Sequence, residues 1–455
     1  MQKKSCDYTN NLSKDKLAPY PKASYAWFVV IILMFAYILS YVDRTILTLL
    51  VPNIKQDLGL SDTELSLLHG IAFAIFYTFL GFPLGRLADS KNRVGIIAVG
   101  ITIWSLMTML CGVAKNFTHL FLARMGVGVG EAALNPAAYS IITDYFPPNK
   151  LSRALSTYVM GTYLGMGVAY IIGGSVVKAI TNLPDIELPI VGHIFSWQLA
   201  FFYVGIPGLL FLGLLKLIKE PIRRGRVNTD GKVKSVPLSD VVKFLSTNKK
   251  TLISHSLGFS CLALLVNGIA LWTPTFFQRT YGLETAEAGI IYGCILLFFG
   301  GSGVYCGGWL ADILQRKGRN DAVFMSALIF ALCGIIPTIF SPLMPSANWA
   351  FILIAPMVFC TSAPWGLAVA AIQQITPNEL RGQVSSVYLF TVNLIGIGLG
   401  PTLIALMTDF YFENPADLRY SMAIIAGIAS VLAALSIYLG LKPFRESLQR
   451  ANAWK

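Results

Sequence analysis

Charge is what this sequence has least of. Of its 455 residues only 13% are Asp, Glu, Lys or Arg, whereas 55% are hydrophobic and the mean hydropathy is +0.64. Soluble domains of ordinary composition carry about a quarter charged residues. So little charge in so long a chain excludes a conventional water-soluble globular protein and indicates repeated passage through a lipid bilayer.

Metal-binding, redox and nucleotide-binding patterns are missing as well. The seven cysteines are scattered, mostly within apolar runs, and the four histidines stand apart from one another. Neither residue type has the spacing of a metal or redox site. The P-loop pattern G-x-x-x-x-G-K-[ST] does not occur, and no nucleophile lies in a pattern with a base. We therefore expect a protein that is not an enzyme and that uses no metal and no cofactor.

Long apolar runs take the place of these features. A run of about 18 or more apolar residues can cross a bilayer as a helix. The sequence divides into twelve such candidate spans, which lie at residues 24–51, 63–84, 94–114, 119–142, 153–178, 198–217, 252–278, 286–310, 321–341, 347–373, 383–408 and 419–441. The predicted fold class is therefore an all-α membrane protein with twelve transmembrane helices.

The basic residues are distributed unevenly between the two sides of these spans. If both termini lie on one side, 28 of the 35 lysines and arginines fall in the tails and loops of that side, and five fall in the opposite loops. Cytoplasmic loops carry such an excess, so both termini are predicted to be cytoplasmic. The net charge of +12 thus follows membrane topology and does not indicate a nucleic-acid partner. We expect a multi-pass protein of the plasma membrane, or of the inner membrane if the source is bacterial.

Two short motifs occur once in each half of the chain. "GRLADSKNR" begins at Gly85 and "GWLADILQR" at Gly308, with five of nine positions identical at an offset of 223 residues. "PNKLSRALS" from Pro148 and "PNELRGQVS" from Pro377 form a second pair. Like motifs at like places predict two pseudo-symmetric six-helix halves related by an axis along the membrane normal.

This repeat predicts five regions of the chain. They are a cytoplasmic tail at 1–22, an N-terminal six-helix bundle at 23–217, a basic cytoplasmic linker at 218–251, a C-terminal six-helix bundle at 252–442 and a second tail at 443–455. The end of the linker has apolar residues at helical spacing beside lysines. It is compatible with a short helix on anionic lipid headgroups or with a solvated connector.

Four ionisable residues fall well inside the spans, namely Asp43, Arg44, Arg124 and Glu131. A charge at the centre of a membrane helix costs about 2.5–3.5 kcal/mol on insertion scales, so such residues are expected to face protein or water and to pair. From their depths, the two pairs of charges on the first and fourth spans can meet at one level, and we expect each residue of the first span to have a partner in the fourth. Two readings remain: permanent pairs that fix helix packing, or a cluster switched by a proton on Glu131 or Asp43.

The second half offers no Asp, Glu, Lys or Arg in the central thirds of its spans. One half can therefore meet a charged group while the other presents apolar and weakly polar surface, which suits an amphiphile with an anionic head. Candidate substrate-binding residues from both halves are Arg44, Arg124, Tyr37, Tyr41, Asn135, Asn267, Trp272 and Asn393.

The sequence resembles a known transporter family. The glycine–aspartate motifs above, "YVDRTILTLLVPNIKQDLGLSDTELSLLHG" from Tyr41 and "RMGVGVGEAALNPAAYSIITDYFPPNKLSRALS" from Arg124 are similar to the spinster-like branch of the major facilitator superfamily. That branch includes sphingolipid and lysophospholipid exporters, and a neighbouring branch of organic-anion symporters shares much of the pattern. In the family, the positions of Asp89, Arg93, Asp312 and Arg316 form gating ion pairs between helices. The family's antiporter signature is not matched, because Met166 follows Gly165 where that signature has proline.

Residues and resemblance together predict a secondary active transporter that works by alternating access. The expected cargo is an amphiphilic anion such as a lysophospholipid or sphingoid-like lipid, coupled to protons through Glu131 and Asp43. The alternatives are a proton-linked transporter of small organic acids and, from another class, a passive channel or scramblase-like lipid pathway. The expected partners are the substrate, protons and membrane lipids, and the protein is expected to be a monomer.

Overall fold

The computed structural model describes residues 19–180, 183–188, 192–223, 238–377 and 380–452. Within these ranges, eleven helical segments are long and apolar enough to cross a membrane. The twelfth crossing is the helical segment that carries Arg124 and Glu131 and is broken at Ala132 and Ala133. The prediction of an all-α membrane protein with twelve transmembrane helices is confirmed.

Among its described residues, the N-terminal half contains nine α-helices and one small hairpin. Its helices are α1 (Ala23–Leu49), α2 (Val51–Leu58), α3 (Asp62–His69), α4 (Ile71–Ser90), α5 (Arg93–Cys111), α6 (Phe117–Glu131), α7 (Leu134–Tyr145), α8 (Pro148–Ile180) and α9 (Leu199–Leu215). Strands β1 (Ile186–Leu188) and β2 (Gly192–Ile194) pair antiparallel between α8 and α9. Helices α3 with α4, and α6 with α7, each make one crossing.

The C-terminal half repeats the six crossings with more irregular helices. A short helix, α10 (Leu238–Thr247), precedes it. The half itself comprises α11 (Lys249–Tyr281), α12 (Thr285–Ile295), α13 (Gly301–Arg316), α14 (Ala322–Phe340), α15 (Ala347–Ser362), α16 (Pro364–Ile375), α17 (Arg381–Asn393), α18 (Gly400–Leu406) and α19 (Leu418–Asn452). Wider π-helical turns join α12 to α13 at Leu296–Gly300, join α17 to α18 at Leu394–Leu399 and follow α18 at Met407–Phe412.

The sequence explains where several helices begin and bend. No charged residue occurs in the first twenty residues of α1, from Ala23 to Val42, as the interior of a bilayer requires. Helix α2 ends at Gly59, whose φ of +64° is in the left-handed region that favours glycine. Ser61 and Glu64 form a reciprocal capping box that starts α3.

Buried apolar residues form three clusters, and these show how the halves meet. We call the end with Gly59, Asp62 and Arg279 the outer end, and the end with Arg93 and Asp321 the basic end; the basic end is the one predicted to be cytoplasmic. At the outer end one cluster runs continuously through residues of both halves. At the basic end each half has its own cluster. The halves are therefore packed together at the outer end and are distinct bodies at the basic end.

Individual contacts between the halves agree with this arrangement. Near the middle of the bundle, a Cβ on Gly167 would lie 2.8 Å from the carbonyl oxygen of Gly293, so α8 and α12 touch backbone to backbone. Towards the basic end the rings of Phe79 and Phe390 meet across the halves at 5.3 Å, yet Phe79 is 57% exposed. At this end the halves therefore meet through an aromatic contact that is itself exposed.

Candidate functional site

The four intramembrane charges converge in the N-terminal half, between α1 and α6. The guanidinium of Arg44 donates to the Glu131 carboxylate and forms an ion pair with it. The Glu131 side chain is 2% exposed, whereas that of Arg44 is 16% exposed. The pair is therefore enclosed at Glu131 and partly exposed at Arg44.

The glycines that precede Glu131 explain how an acid reaches this depth. A Cβ on Gly128 would lie 2.8 Å from the carbonyl oxygen of Phe73, and one on Gly130 would lie 2.6 Å from the backbone nitrogen of Trp104. Helix α6 therefore packs directly on the backbones of α4 and α5. This close packing carries Glu131, the last residue of α6, into the middle of the half.

Arg124 makes a different contact from the one expected. It is fully buried, and its Nη1 donates to the main-chain carbonyl of Asp43 at 3.2 Å, while Nη2 lies 3.5 Å from the carbonyl of Arg44. We predicted that each charged residue of the first span would have a partner in the fourth. Arg44 has such a partner in Glu131. Asp43 contacts the fourth span only through its backbone carbonyl, which accepts from Arg124, since its side chain points about 100° away from that of Arg44.

Asp43 points instead towards α5. Its side chain is buried and lies beside Thr108 and Trp104. Within the described residues its Oδ1 has no hydrogen-bond partner, and the same holds for Oε1 of Glu131. A buried carboxylate oxygen without a donor is costly, so both positions leave room for a further hydrogen-bond donor.

Aromatic rings form the wall around Arg44. Its guanidinium carbon lies 4.2 Å from the ring centre of Phe73, 5.1 Å from that of Tyr41 and 5.6 Å from that of Tyr77. Such contacts stabilise a desolvated cation by about 2 kcal/mol. Phe73 and Tyr77 were not predicted, because uncharged aromatic residues are common in all membrane helices and their spacing carries no separate signal.

A hydrogen-bonded chain extends this wall across two further helices, α7 and α8. Asn135 donates to the Tyr77 hydroxyl at 3.0 Å and accepts from the Tyr158 hydroxyl at 2.7 Å. The ring of Tyr158 stacks on that of Tyr37 at 5.3 Å and meets the edge of Tyr139. The predicted residues Tyr37, Tyr41 and Asn135 are thus brought together with Arg44, and Tyr139, which is 41% exposed, marks the open side.

The predicted residues of the C-terminal half are less closely grouped. Asn267 and Asn393 are half-buried, and Asn267 donates to the carbonyl of Ala263 at 2.8 Å. Trp272 is fully buried, and its indole donates to the carbonyl of Pro401 at 3.0 Å, so its ring fixes α11 against α18 in this conformation. Substrate contact by these three residues stays a prediction.

The four predicted gating residues occupy different environments. Arg93 is buried and binds Asp144 of α7 and, at 2.7 Å, Glu220 after α9. Asp312 and Arg316 are exposed. The side chain of Asp89 lies outside the described residues. Arg93 is therefore held within its own half, and its sequence-distant partner Glu220 was not predicted.

The C-terminal half has its own ion cluster at the basic end. Asp321, just before α14, accepts from Arg319 at 3.0 Å and from Arg445 of α19 at 2.7 Å. Burial opposes the charge of Asp321, but the hydrogen bonds from Arg319 and Arg445 outweigh it and hold the pKa of this carboxyl below its usual range.

Comparison with known proteins identifies the architecture. Residues 33–401 match the model of the Major Facilitator Superfamily. The chain belongs to this superfamily. Superfamily members and the structural neighbours are transporters rather than enzymes, so the prediction of a multi-pass membrane transporter without enzymatic activity is confirmed.

Relatives of this major facilitator protein support the spinster-like branch. It is 30% identical to Protein spinster homolog 1 of Xenopus laevis over 400 residues, which cover 80% of this chain and 72% of the relative. It is also 24% identical to a Probable L-galactonate transporter of Escherichia coli, over 92% of this chain and 90% of that protein. The spinster-like resemblance is confirmed, and both branches named from the sequence occur among the relatives.

A solved structure supports the fold. The crystal structure of a bacterial homolog of the human lysosomal transporter spinster, in an inward-facing and unoccupied conformation, superposes with a TM-score of 0.81 at 28% identity. The alignment covers 94% of this chain and 99% of that one. The two structures share the same fold.

Proposed function

We propose that this major facilitator protein transports an amphiphilic anion and that a proton on Glu131, with Asp43 as its neighbour, drives the transport. The observation that carries the proposal is the Arg44–Glu131 pair, which is buried on the acid side, partly exposed on the arginine side and walled by aromatic rings. A tight internal pair that one proton can break is a two-state element.

The chemistry follows from the charges of the pair. When Glu131 accepts a proton, Arg44 loses its counter-ion and its partly exposed guanidinium can hold a phosphate or carboxylate. When the proton leaves, Glu131 competes again for Arg44 and expels the anion. Proton and anion therefore bind cooperatively, and each raises the affinity for the other.

The surroundings of Arg44 favour an amphiphile over a compact acid. The rings of Tyr41, Phe73 and Tyr77 present apolar faces next to the cation, and Tyr37 and Tyr139 continue them towards the open end. The sequence of the C-terminal spans has no Asp, Glu, Lys or Arg in their central thirds, so an acyl chain could lie against them. We infer a lysolipid or sphingoid-like phosphate with its head at Arg44.

A second candidate function is proton-linked transport of small organic acids. It is favoured by the similarity to a Probable L-galactonate transporter over most of both chains. The same Arg44–Glu131 chemistry would serve a sugar acid, and the Tyr77, Asn135 and Tyr158 hydrogen-bonding groups could meet its hydroxyls. A passive channel or scramblase-like pathway would need no proton-switched pair and would not concentrate its cargo.

Binding at two pH values tests the proposal directly. In nanodiscs we expect lysophosphatidylglycerol to bind at least about tenfold more tightly at pH 5.5 than at pH 7.5. A single protonation that is coupled to ligand binding can change the affinity by a factor of this size. Glu131→Gln, which mimics the protonated acid, should bind at both pH values with the low-pH affinity and should lose proton-driven accumulation in proteoliposomes. Glu287→Gln removes an exposed acid of α12 and should behave like the unsubstituted protein.

Three results would contradict parts of the proposal. An unchanged pH dependence in Glu131→Gln would remove Glu131 from coupling. Competition by galactonate but not by lysophosphatidylglycerol would establish the organic-acid alternative. Movement of lysolipid without counterflow or accumulation against a gradient would indicate a passive pathway.

A further inference from the structure

One buried carboxylate at the outer end is shared by two cations from different halves. The Asp62 side chain, at the start of α3, is fully buried. Its Oδ1 accepts from Arg279 of α11 at 2.8 Å and from Lys55 of α2 at 2.5 Å. Arg279 also donates to Oδ2. Arg279 belongs to the C-terminal half, whereas Lys55 belongs to the same half as Asp62.

Lys55 and Asp62 are held in one rigid unit. Helix α2 turns into α3 through Gly59 at φ +64° and the capping box of Ser61 and Glu64. Asp57 of α2 accepts from the Trp197 indole at 2.8 Å, which ties this unit to the beginning of α9. The Lys55–Asp62 contact therefore moves with the N-terminal half when the halves separate, but the Arg279–Asp62 contact breaks.

The two cations consequently have opposite effects on the outer closure. An interaction shifts a conformational equilibrium only if it differs between the two states. Attraction between Lys55 and Asp62 is present in both states and cancels. Lys55 has two remaining effects, both on the closed state. It shares Oδ1 with Arg279, and its charge repels Arg279, so that both effects weaken the closed state. Arg279 itself stabilises the closed state only.

We propose that Lys55 is a positioning residue that sets the strength of the outer closure. Lys55 stays bound to the Asp62 carboxylate when the outer end opens and Arg279 leaves. The acid therefore keeps one cation in the open state, which makes the release of Arg279 easier. A second contact across the halves, from the Thr63 backbone and hydroxyl to Asp409 at 2.7 Å, does not involve either cation. The inference goes beyond the proposed function, because it applies whatever substrate the transporter takes.

Distances between spin labels at the outer end test this inference. Thr118 and Ser346 are exposed at the outer end of different halves and can be changed to labelled cysteines after the seven native cysteines are replaced by serine. We expect Arg279→Gln to raise the ratio of outer-open to outer-closed protein by at least about fivefold, and Lys55→Gln to lower it by a similar factor. Measurements are made at a pH where both distances are populated, or in an Arg279→Lys background that weakens the closure.

Two controls separate this effect from a general change of charge. Lys178→Gln removes an exposed lysine at the outer end of α8 and should leave the ratio unchanged. In an Arg279→Gln background, Lys55→Gln should have no further effect, because its competitor is gone. The inference is overturned if Lys55→Gln opens the outer end as Arg279→Gln does, or if it behaves like Lys178→Gln. Neither result would bear on proton coupling at Glu131.

Discussion

The two halves of this transporter share one helical plan but differ in where they place charge. In the fourth crossing, α6 breaks at Ala132 and Ala133 and continues as the twelve-residue α7; in the tenth, α15 breaks at Ala363 and continues as the twelve-residue α16. Counted back from these breaks, Ile354 takes the position of Arg124 and Thr361 that of Glu131. The hydroxyl of Thr361 bonds its own helix, donating to the Met357 carbonyl at 2.8 Å.

The first and seventh crossings differ in the same way. At the 223-residue offset of the repeat, Asn267 takes the position of Arg44, and its amide turns back to the Ala263 carbonyl. The counterparts of the charged residues are thus either apolar, as Ile354 is, or bond their own helix, as Thr361 and Asn267 do. The N-terminal half therefore carries intramembrane charge at positions where the C-terminal half has none.

The basic ends differ in the sign of the central charge. In the N-terminal half the buried Arg93 is surrounded by the acids Asp144 and Glu220. In the C-terminal half the buried Asp321 is surrounded by Arg319 and Arg445. Both clusters join the end of the last crossing of the half to the start of its third crossing. The two halves therefore connect the same two crossings by ion pairs, with the signs of the charges exchanged.

The largest effect is expected from exchanging the equivalent residues Arg124 and Ile354. Arg124→Met removes a buried cation, leaves the Asp43 carbonyl without its donor and unbalances two buried acids, so it should reduce the free energy of unfolding by about 3–5 kcal/mol. Ile354→Met keeps volume and polarity and should cost less than about 1.5 kcal/mol. Thermal unfolding of both variants in detergent, followed by tryptophan fluorescence, measures the difference. Equal losses would mean that the charge of Arg124 has no special role.

A smaller effect is expected from the arginines of the repeated motif. Arg93→Gln breaks buried bonds to two acids, and because water can reach Glu220, which is 26% exposed, the loss should be about 2 kcal/mol. Arg316→Gln changes an exposed residue and should stay within about 0.5 kcal/mol. Denaturant-induced unfolding of both variants checks this. A similar loss for Arg316→Gln would show that the motif is structurally equivalent in the two halves.

The smallest effect concerns Asp321 and depends on pH. Because its folded pKa is depressed, the stabilisation by Arg445 is present above the ordinary aspartate pKa of about 3.9 and is lost as the pH falls through the folded value. Arg445 is half exposed, so Arg445→Gln should cost less than about 1 kcal/mol at pH 7. The difference in melting temperature from the unsubstituted protein should shrink at pH 3. Lys442→Gln, an exposed lysine on the same helix, should show no such pH-dependent difference.

Much of the fold was predictable because the bilayer imposes strong rules. Each crossing needs a long apolar run, and the two repeated motifs mark corresponding positions in the halves. The meeting of Arg44 and Glu131 followed from depth, since charges at one level in an apolar medium seek each other. The contact of Arg124 with the Asp43 backbone did not, because depth does not specify which atom a side chain reaches.

Other site residues had no signal in the chain. Phe73, Tyr77 and Tyr158 are ordinary membrane-helix residues until α4 and α8 bring them around Arg44 and Asn135. Glu220 and Asp62 lie at span ends, where charged residues are common, and their partners are 127 and 217 residues away. Such pairs depend on how the bundle closes, which single-sequence patterns do not encode.

The sequence by itself determined the class of this protein, its twelve crossings, its duplicated plan and the half that carries the intramembrane charge. These properties depend on local hydropathy and on residue identity, which can be judged along the chain. Only the tertiary structure decided that the halves meet at the outer end, that Glu131 closes on Arg44 within an aromatic wall and that Lys55 and Arg279 share Asp62. These properties depend on side chains from distant segments meeting in three dimensions, and the close packing of helices through small residues sets where they meet.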